Sequence, residues 1–450
     1  MAEPAAARTA GGRPGPATRL ELLGDPRTYE RGVPYELLAR LRRERGVVRV
    51  PEPAQPGLPE GPGHWLVLRH ADVERVLRDP RRFSSWLGGT QVRDPATPAD
   101  LAYVRRMMLN MDPPEHSRLR RLLHRSFTPR AVAALEEQIA DHARSIVDSM
   151  LSTGDIVDFA VSAADLPLLA LADVLGMPAA DRGLLFDWSN RVIGFQDPDY
   201  AASARYAGGT PMAAEALRLR PEPGPDGRMP DPRTRAGIPD LYAYAHLLAD
   251  HKRREPGADV MSILLSEVDD DGGRVSVAEF ENLFWLFAVA GNETLRNGIP
   301  GGMVALLAHP DAQRTLRADE SLLPAAVEEM LRWWTPVMVF RRTATEPVTL
   351  SGVDIGAGEK VVVSFAAANR DETVFADPDR FDVARRPNEH LVFGHGPHFC
   401  LGAHLARAQL RALFGELLRR TTWIEAAGKP ELLRSSFQRG VKHFPVHLLP

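Results

Sequence analysis

From residue 34 onward, apolar residues recur every three or four positions along most of the chain, and only short runs place them side by side or in alternation. The first spacing buries one stripe of a helix and the second one face of a strand. Helical spacing covers 34–45, with Leu37, Leu38 and Leu41 on one face, then 70–78, 99–108, 131–151, 166–175, 180–192, 241–254, 260–267, 324–334 and 401–420. Asp112, Pro113, Pro114 and Glu115 announce a further helix, since proline suits the first turn and acids favour its positive end. Short runs at 47–50 and 65–68 flank a Pro/Gly loop and read as a hairpin; 348–350, 360–365 and 444–448 read as further strands. The expected fold is mainly α with a small β part.

The longest pattern starts at 276. Ser276 and Glu279 have the spacing of a capping box, and Phe280, Leu283, Phe284 and Phe287 form a face that continues to Gly291 and Thr294. Such a helix runs for about 30 residues, or about 45 Å. Pro300, among Gly298, Gly301 and Gly302, predicts a kink near Arg296, because it removes one hydrogen bond of the ladder. The stretch 202–239 is rich in Pro, Gly and Arg with little periodicity, and reads as an insertion or lid loop.

Composition narrows the class. The first 20 residues are rich in Ala, Gly and Pro without the continuous apolar core of a signal peptide, and read as a disordered tail before a single domain over 21–450. No run of about 18 apolar residues predicts a membrane span. A net charge of −4 over 450 residues gives no nucleic-acid signature. A single cysteine, Cys400, excludes an internal disulfide and a cysteine-based zinc site. A cytoplasmic protein is expected.

Cys400 lies in 393–402, Phe-Gly-His-Gly-Pro-His-Phe-Cys-Leu-Gly. Gly394 and Gly396 permit a sharp turn and close approach to a flat ligand, and a thiol at a helix N-terminus meets the positive end of the dipole, which favours the thiolate. A rigidly held thiolate is what axial ligation of haem iron requires. A buried structural cysteine is the bland alternative. The stretch resembles the haem-binding signature of the cytochrome P450 family.

Other motifs agree. Ala290-Gly291-Asn292-Glu293-Thr294 resembles the family's oxygen-binding motif: Gly291 removes bulk where dioxygen sits, Thr294 offers a hydroxyl, and Glu293 feeds protons inward through water or a rotamer change. A helical threonine that merely bonds the carbonyl four residues back is the competing reading. Glu329 and Arg332 match the family's Glu-x-x-Arg, with Arg385 as third, structural member. The resemblance implies haem b with its axial thiolate from Cys400. Its contacts would come from Phe393, Gly394, Gly402 and Ala290, with His116, Arg120, Arg342 and His398 on the propionates. Arg342 is preferred to adjacent Arg341 because the family pattern is Arg-x-Ala.

The resemblance extends from about residue 30 to 450 and is closest to bacterial members, several of which hydroxylate sterol side chains, terpenoids or branched lipids. It implies a P450-like helical fold, with haem between the long helix and the helix after the cysteine, and a monooxygenase acting on a hydrophobic substrate with O2. By family position the pocket wall would come from Trp86, Leu87, Val92, Val192, Ile193, Phe195, Phe287, Ala290, Val337, Met338, Val339, Ser436 and Phe437. Electrons would come from a ferredoxin and its reductase, docked on a basic face of Arg118, Arg121, Arg125, Arg407 and Arg411. Competing readings are a P450 performing epoxidation, desaturation, ring closure or coupling, a haem sensor or carrier without turnover, and a peroxide-using enzyme.

Overall fold

A computed structural model of the chain describes residues 20–54, 59–124, 127, 133, 135–154, 156–193, 209–225, 229–232, 234–266, 268 and 272–449. The predicted tail over 1–20 therefore lies outside the described residues except for Leu20. The expected balance holds: among the described residues helices dominate, with four small sheets.

The elements that position the site follow in chain order. Helix α1 (Tyr35–Glu44) precedes the antiparallel hairpin β1 (Val47–Glu52) and β2 (Gly61–Val67), then α2 (His70–Arg78) and the short β3 (Phe83–Ser84). Next come α3 (Glu115–His124), α4 (Glu136–Thr153), α5 (Asp165–Leu175) and α6 (Gly183–Ile193). After α7 (Pro239–Arg254) come α8 (Val277–Ala290), α9 (Glu293–Ala308) and α10 (Leu323–Trp334). Strands β4 (Val339–Ala344) and β5 (Lys360–Ser364) and helix α11 (Ala403–Arg420) complete the set. The main sheet has the order β1-β2-β5-β4-β3, with β2 and β5 parallel and the other neighbours antiparallel.

The large apolar core lies among the helices, and two smaller clusters cover the faces of this sheet. Within the stretch read as an insertion loop, described residues form the helix Pro211–Leu217. Thr210 caps it and also bonds Asp181, which accepts from Tyr244 as well.

The capping box forms as predicted: Glu279 N donates to Ser276 Oγ at 3.2 Å, and Ser276 N to Glu279 Oε2 at 2.9 Å. The long helix does not run on to a kink near Arg296. It breaks at Gly291 and Asn292, and Pro300 lies inside α9. Side chains explain the break. Thr294 Oγ1 donates to Ala290 O at 3.0 Å, and Ser189 of α6 donates to Ala288 O at 3.0 Å while accepting from Asn292 Nδ2 at 3.0 Å. Polar groups inserted at a helix's carbonyls bend it as effectively as a proline does. Around Pro300 the glycines seat α9 against α10: a Cβ at Gly301 would fall 2.1 Å from the Trp334 ring.

Candidate haem-thiolate site

The loop before α11 has the predicted backbone. Gly394 and Gly396 adopt φ of +71° and +69°, which side chains rarely allow, and a Cβ on Gly396 would lie 2.6 Å from Leu77 O of α2. Cys400 N donates to Phe393 O at 2.8 Å, closing the loop. Behind it, the Arg407 guanidinium lies 4.4 Å from the centre of the Phe393 ring and forms a two-pronged pair with Glu328 of α10 at 2.7 and 2.8 Å. His390 Nε2 adds a contact to Glu328 at 3.1 Å. Burial would raise the Glu328 carboxyl, but Arg407 and His390 overcome it and hold the group down at about 2.

The expected dipole effect does not prevail at Cys400. Burial pushes its thiol up, and the Gly402 N–H, Arg120 and Arg407 offset this only in part. A buried thiol of this kind becomes a thiolate when a cation takes its charge, as a ligated metal does. Deep as it lies, its side chain has an accessible surface, as does Ala290 at the end of α8, and a Cβ at Gly402 would meet no atom within 4 Å.

Positive charge gathers beside this opening. His116 and His398 rings lie 4.0 Å apart, and His116 Nδ1 is buried without a hydrogen-bond partner. Burial, then Arg120 and Arg342, hold His116 down at about 4, and burial likewise holds His398 well below its usual value. Burial also lowers Arg342 to about 10 and depresses Arg120. Arg120 makes no hydrogen bond or ion pair among the described residues, and Arg342 donates only to Arg341 O, at 2.8 Å. Arg341 points elsewhere, to Asp94 at 2.5 Å, so Arg342 is the arginine left for a ligand. The carboxylate nearest this group, Asp112, is held by Ser84 Oγ at 2.5 Å and Ser85 N at 2.8 Å. Two guanidinium groups short of anions, an orphaned imidazole nitrogen and a thiol facing open space fit a flat group that carries iron and two carboxylates.

The oxygen motif is placed differently from expectation. A Cβ on Gly291 would meet Leu171 Cδ1 of α5 at 2.9 Å, so its bareness is required by helix packing, and the exposed neighbour is Ala290. Thr294 bonds back to Ala290 O, the geometry of the competing reading, though its side chain keeps some exposure. Glu293 is 1% exposed, and its carboxylate turns to Arg296 at 3.3 Å and Asn297 at 3.4 Å, not to Thr294. Burial raises it despite these partners.

The structural trio forms as predicted. Arg332 pairs with Glu329 at 2.7 Å through two nitrogens, both residues are fully buried, and Arg385 Nε reaches Glu329 at 3.1 Å. Arg332 also donates to the carbonyls of Asn369, Pro378 and Arg380, which ties the segment before the cysteine loop to α10.

Of the expected pocket residues, Val92, Met338, Val339, Ser436 and Phe437 line one cavity of about 60 Å³, together with Leu23, Tyr29, Val33, Leu38, Glu52, His64 and Arg93, which the sequence did not place in the pocket. Val192 and Phe287 pack into the helical core instead, Phe287 against Phe127 at 5.4 Å, and Val337 joins the sheet core. Trp86 and Leu87 are exposed, with Arg105 stacked on the indole and bonded to both carbonyls. Of Ile193 only the backbone is described, and Phe195 lies outside the described residues. The basic face is largely neutralised: Arg407 is spent on Glu328, Arg118 on Glu279, and Arg411 lies 3.6 Å from Glu136; Arg125 lies outside the described residues.

A helical fold with a lone cysteine held in a glycine turn beside an anion-seeking cluster defines a haem-thiolate protein. The comparisons agree. The family model "Cytochrome P450" matches residues 245–442. The steroid C26-monooxygenase of Rhodococcus jostii is 36% identical over 94% of this chain and 83% of its own length. The methyl-branched lipid omega-hydroxylase of Mycobacterium bovis is 39% identical over 91% and 89%. A Mycobacterium marinum cytochrome P450 solved with pseudoionone superposes with a TM-score of 0.80 at 37% identity, covering 98% of this chain and all of that one. The chain belongs to the cytochrome P450 family and is a haem-thiolate monooxygenase with Cys400 as its axial ligand. Among the described residues no helix is long and apolar enough to cross a membrane.

Proposed function

We propose that this monooxygenase hydroxylates a largely hydrocarbon substrate of the steroid or methyl-branched lipid kind. The carrying observation is the cavity wall of Val92, Met338, Val339 and Phe437, because Val339 opens the strand that bears Arg342 three residues later. Glu52, His64 and Arg93 also line this cavity, so its apolar side is the one on β4, the strand that bears Arg342, and that side gives a hydrocarbon its contact. Two relatives named for steroids and for methyl-branched lipids support this class.

When bound, the haem supplies reduction of dioxygen and transfer of one oxygen atom to a C–H bond. The chain does the rest. Phe393 and the glycine turn hold Cys400 in place, and Arg120, Arg342, His116 and His398 anchor the carboxylates. Thr294 presents its hydroxyl beside Ala290. Glu293, kept protonatable by burial, is the inner proton source after a turn of its side chain. The long Arg411–Glu136 pair offers a cation to an acidic ferredoxin, whose electron delivery should slow as salt rises.

The test is a spectral titration with a steroid, a methyl-branched fatty acid and a polar aromatic control. A saturable spin-state change with one of the first two, followed by a hydroxylated product, is expected. A response to the polar aromatic alone would overturn the class.

A further inference from the structure

Glu293 is connected to the cavity wall through two amide side chains. Asn297, one turn further along α9, places Nδ2 3.4 Å from Glu293 Oε1 and 2.7 Å from Gln438 Oε1. Glu293, Asn297 and Gln438 are all at most 3% exposed. An amide NH2 has two hydrogens, so Asn297 serves both acceptors at once, and the shorter bond to Gln438 fixes its orientation.

Gln438 belongs to the loop that lines the cavity. Its backbone N, like that of Phe437, donates to Ser435 Oγ, and it forms an isolated bridge with Val337. Phe437 O accepts from Met338 N at 2.9 Å, and Ser436, Phe437 and Met338 all face the cavity. The loop approaches α9 unusually closely: a Cβ on Gly440 would fall 2.4 Å from Asn297 Oδ1. The other hold on Glu293 comes from Arg296, which stacks 4.4 Å from the Phe186 ring and bonds Asn190, both on α6.

We propose that Asn297 and Gln438 are positioning residues that tie Glu293 to the cavity-lining loop, so that a substrate displacing Phe437 releases the carboxyl to turn toward Thr294. Proton delivery is then conditional on a filled cavity, which suppresses the consumption of reductant and dioxygen without product. The assignment rests on the reading of Glu293 as proton source.

The experiment follows the infrared carboxyl band of Glu293 in the resting protein, assigned by its loss in Glu293→Gln, with and without a substrate that changes the spin state. In the wild type, substrate moves the band. In Gln438→Leu, the band already stands at the substrate-bound position and substrate no longer moves it. Oxygen consumption without substrate should rise several-fold, while substrate affinity changes less than twofold. Asn297→Ser should behave alike and the double variant add nothing, whereas Gln438→Glu, which keeps an acceptor for Asn297, retains the substrate response. A band that responds to substrate identically in wild type, Gln438→Leu and Asn297→Ser would overturn the tie. Undiminished coupling in Glu293→Gln would instead overturn only the proton-source reading.

Discussion

Arg341 and Arg342 are neighbours in sequence with opposite fates: one neutralises Asp94, and the other is buried with, among the described residues, a carbonyl as its sole hydrogen-bond partner. A buried guanidinium left in this state is a cost to the fold until an anion meets it. Arg342→Gln should therefore weaken haem retention about tenfold or more, read as haem lost to a scavenger, while Arg341→Gln keeps its haem. Glu328 supplies a pH test. Its folded-state value lies below the unfolded one, so its contribution is present above about pH 4.5 and fades as pH falls toward 2. With a quarter of the side chain exposed, the contribution is about 1–2 kcal/mol. The loss of thermal stability in Glu328→Gln should be full at pH 6, about halved by pH 3 and small only below pH 2; a loss unchanged by pH would contradict the ion pair. Where residue type carries the chemistry, the sequence was a good guide: a lone cysteine after two glycines, and the nitrogen donors His116 and Arg120 four apart. Gly291 was not readable in this way, because absence of a side chain says nothing about which neighbour needs the space.

Among the elements, helices with one apolar stripe were legible nearly to the residue: 70–78 was expected and His70–Arg78 is formed. Strand β4 was not, since its last four residues are all buried and two are arginines, which erases the alternation that marks a strand. The break in the long helix was misplaced for a related reason. Pro300 is visible in sequence, whereas Ser189 arrives from another helix about 100 positions away to compete for Ala288 O. The glycines beside Pro300 instead let α9 and α10 touch. Gly301→Ala should destabilise the protein by about 2–3 kcal/mol, since a methyl group would enter the Trp334 ring. Denaturant unfolding measures this, and a neutral result would show that the two helices are not so closely seated.

At the scale of the whole molecule, α10 binds the halves of the site together. Its inward face carries Glu329 and Arg332, which hold the segment before the cysteine loop, and adjacent Glu328 grips Arg407 on the helix after it. Breaking such a fully buried pair from one side costs about 3–5 kcal/mol, enough to unfold many domains. This arrangement was readable only in part. The Glu-x-x-Arg spacing marked Glu329, but Arg407 had been assigned to a docking face, because a charge on a helix reveals its partner only when the fold is known. The cavity has the same history: Leu23, Tyr29, Val33 and Leu38 come from the N-terminal region and join it through tertiary contact alone.

All of this converges on one atom, the sulfur of Cys400. The direct measurement is the absorption spectrum of the reduced, carbon monoxide-treated protein beside that of Cys400→His, both reconstituted with haem. The wild type should show the strongly red-shifted Soret band of a thiolate-ligated haem, and Cys400→His the unshifted band of a nitrogen ligand. Identical bands in the two proteins, or a histidine-type band in the wild type, would contradict the assignment.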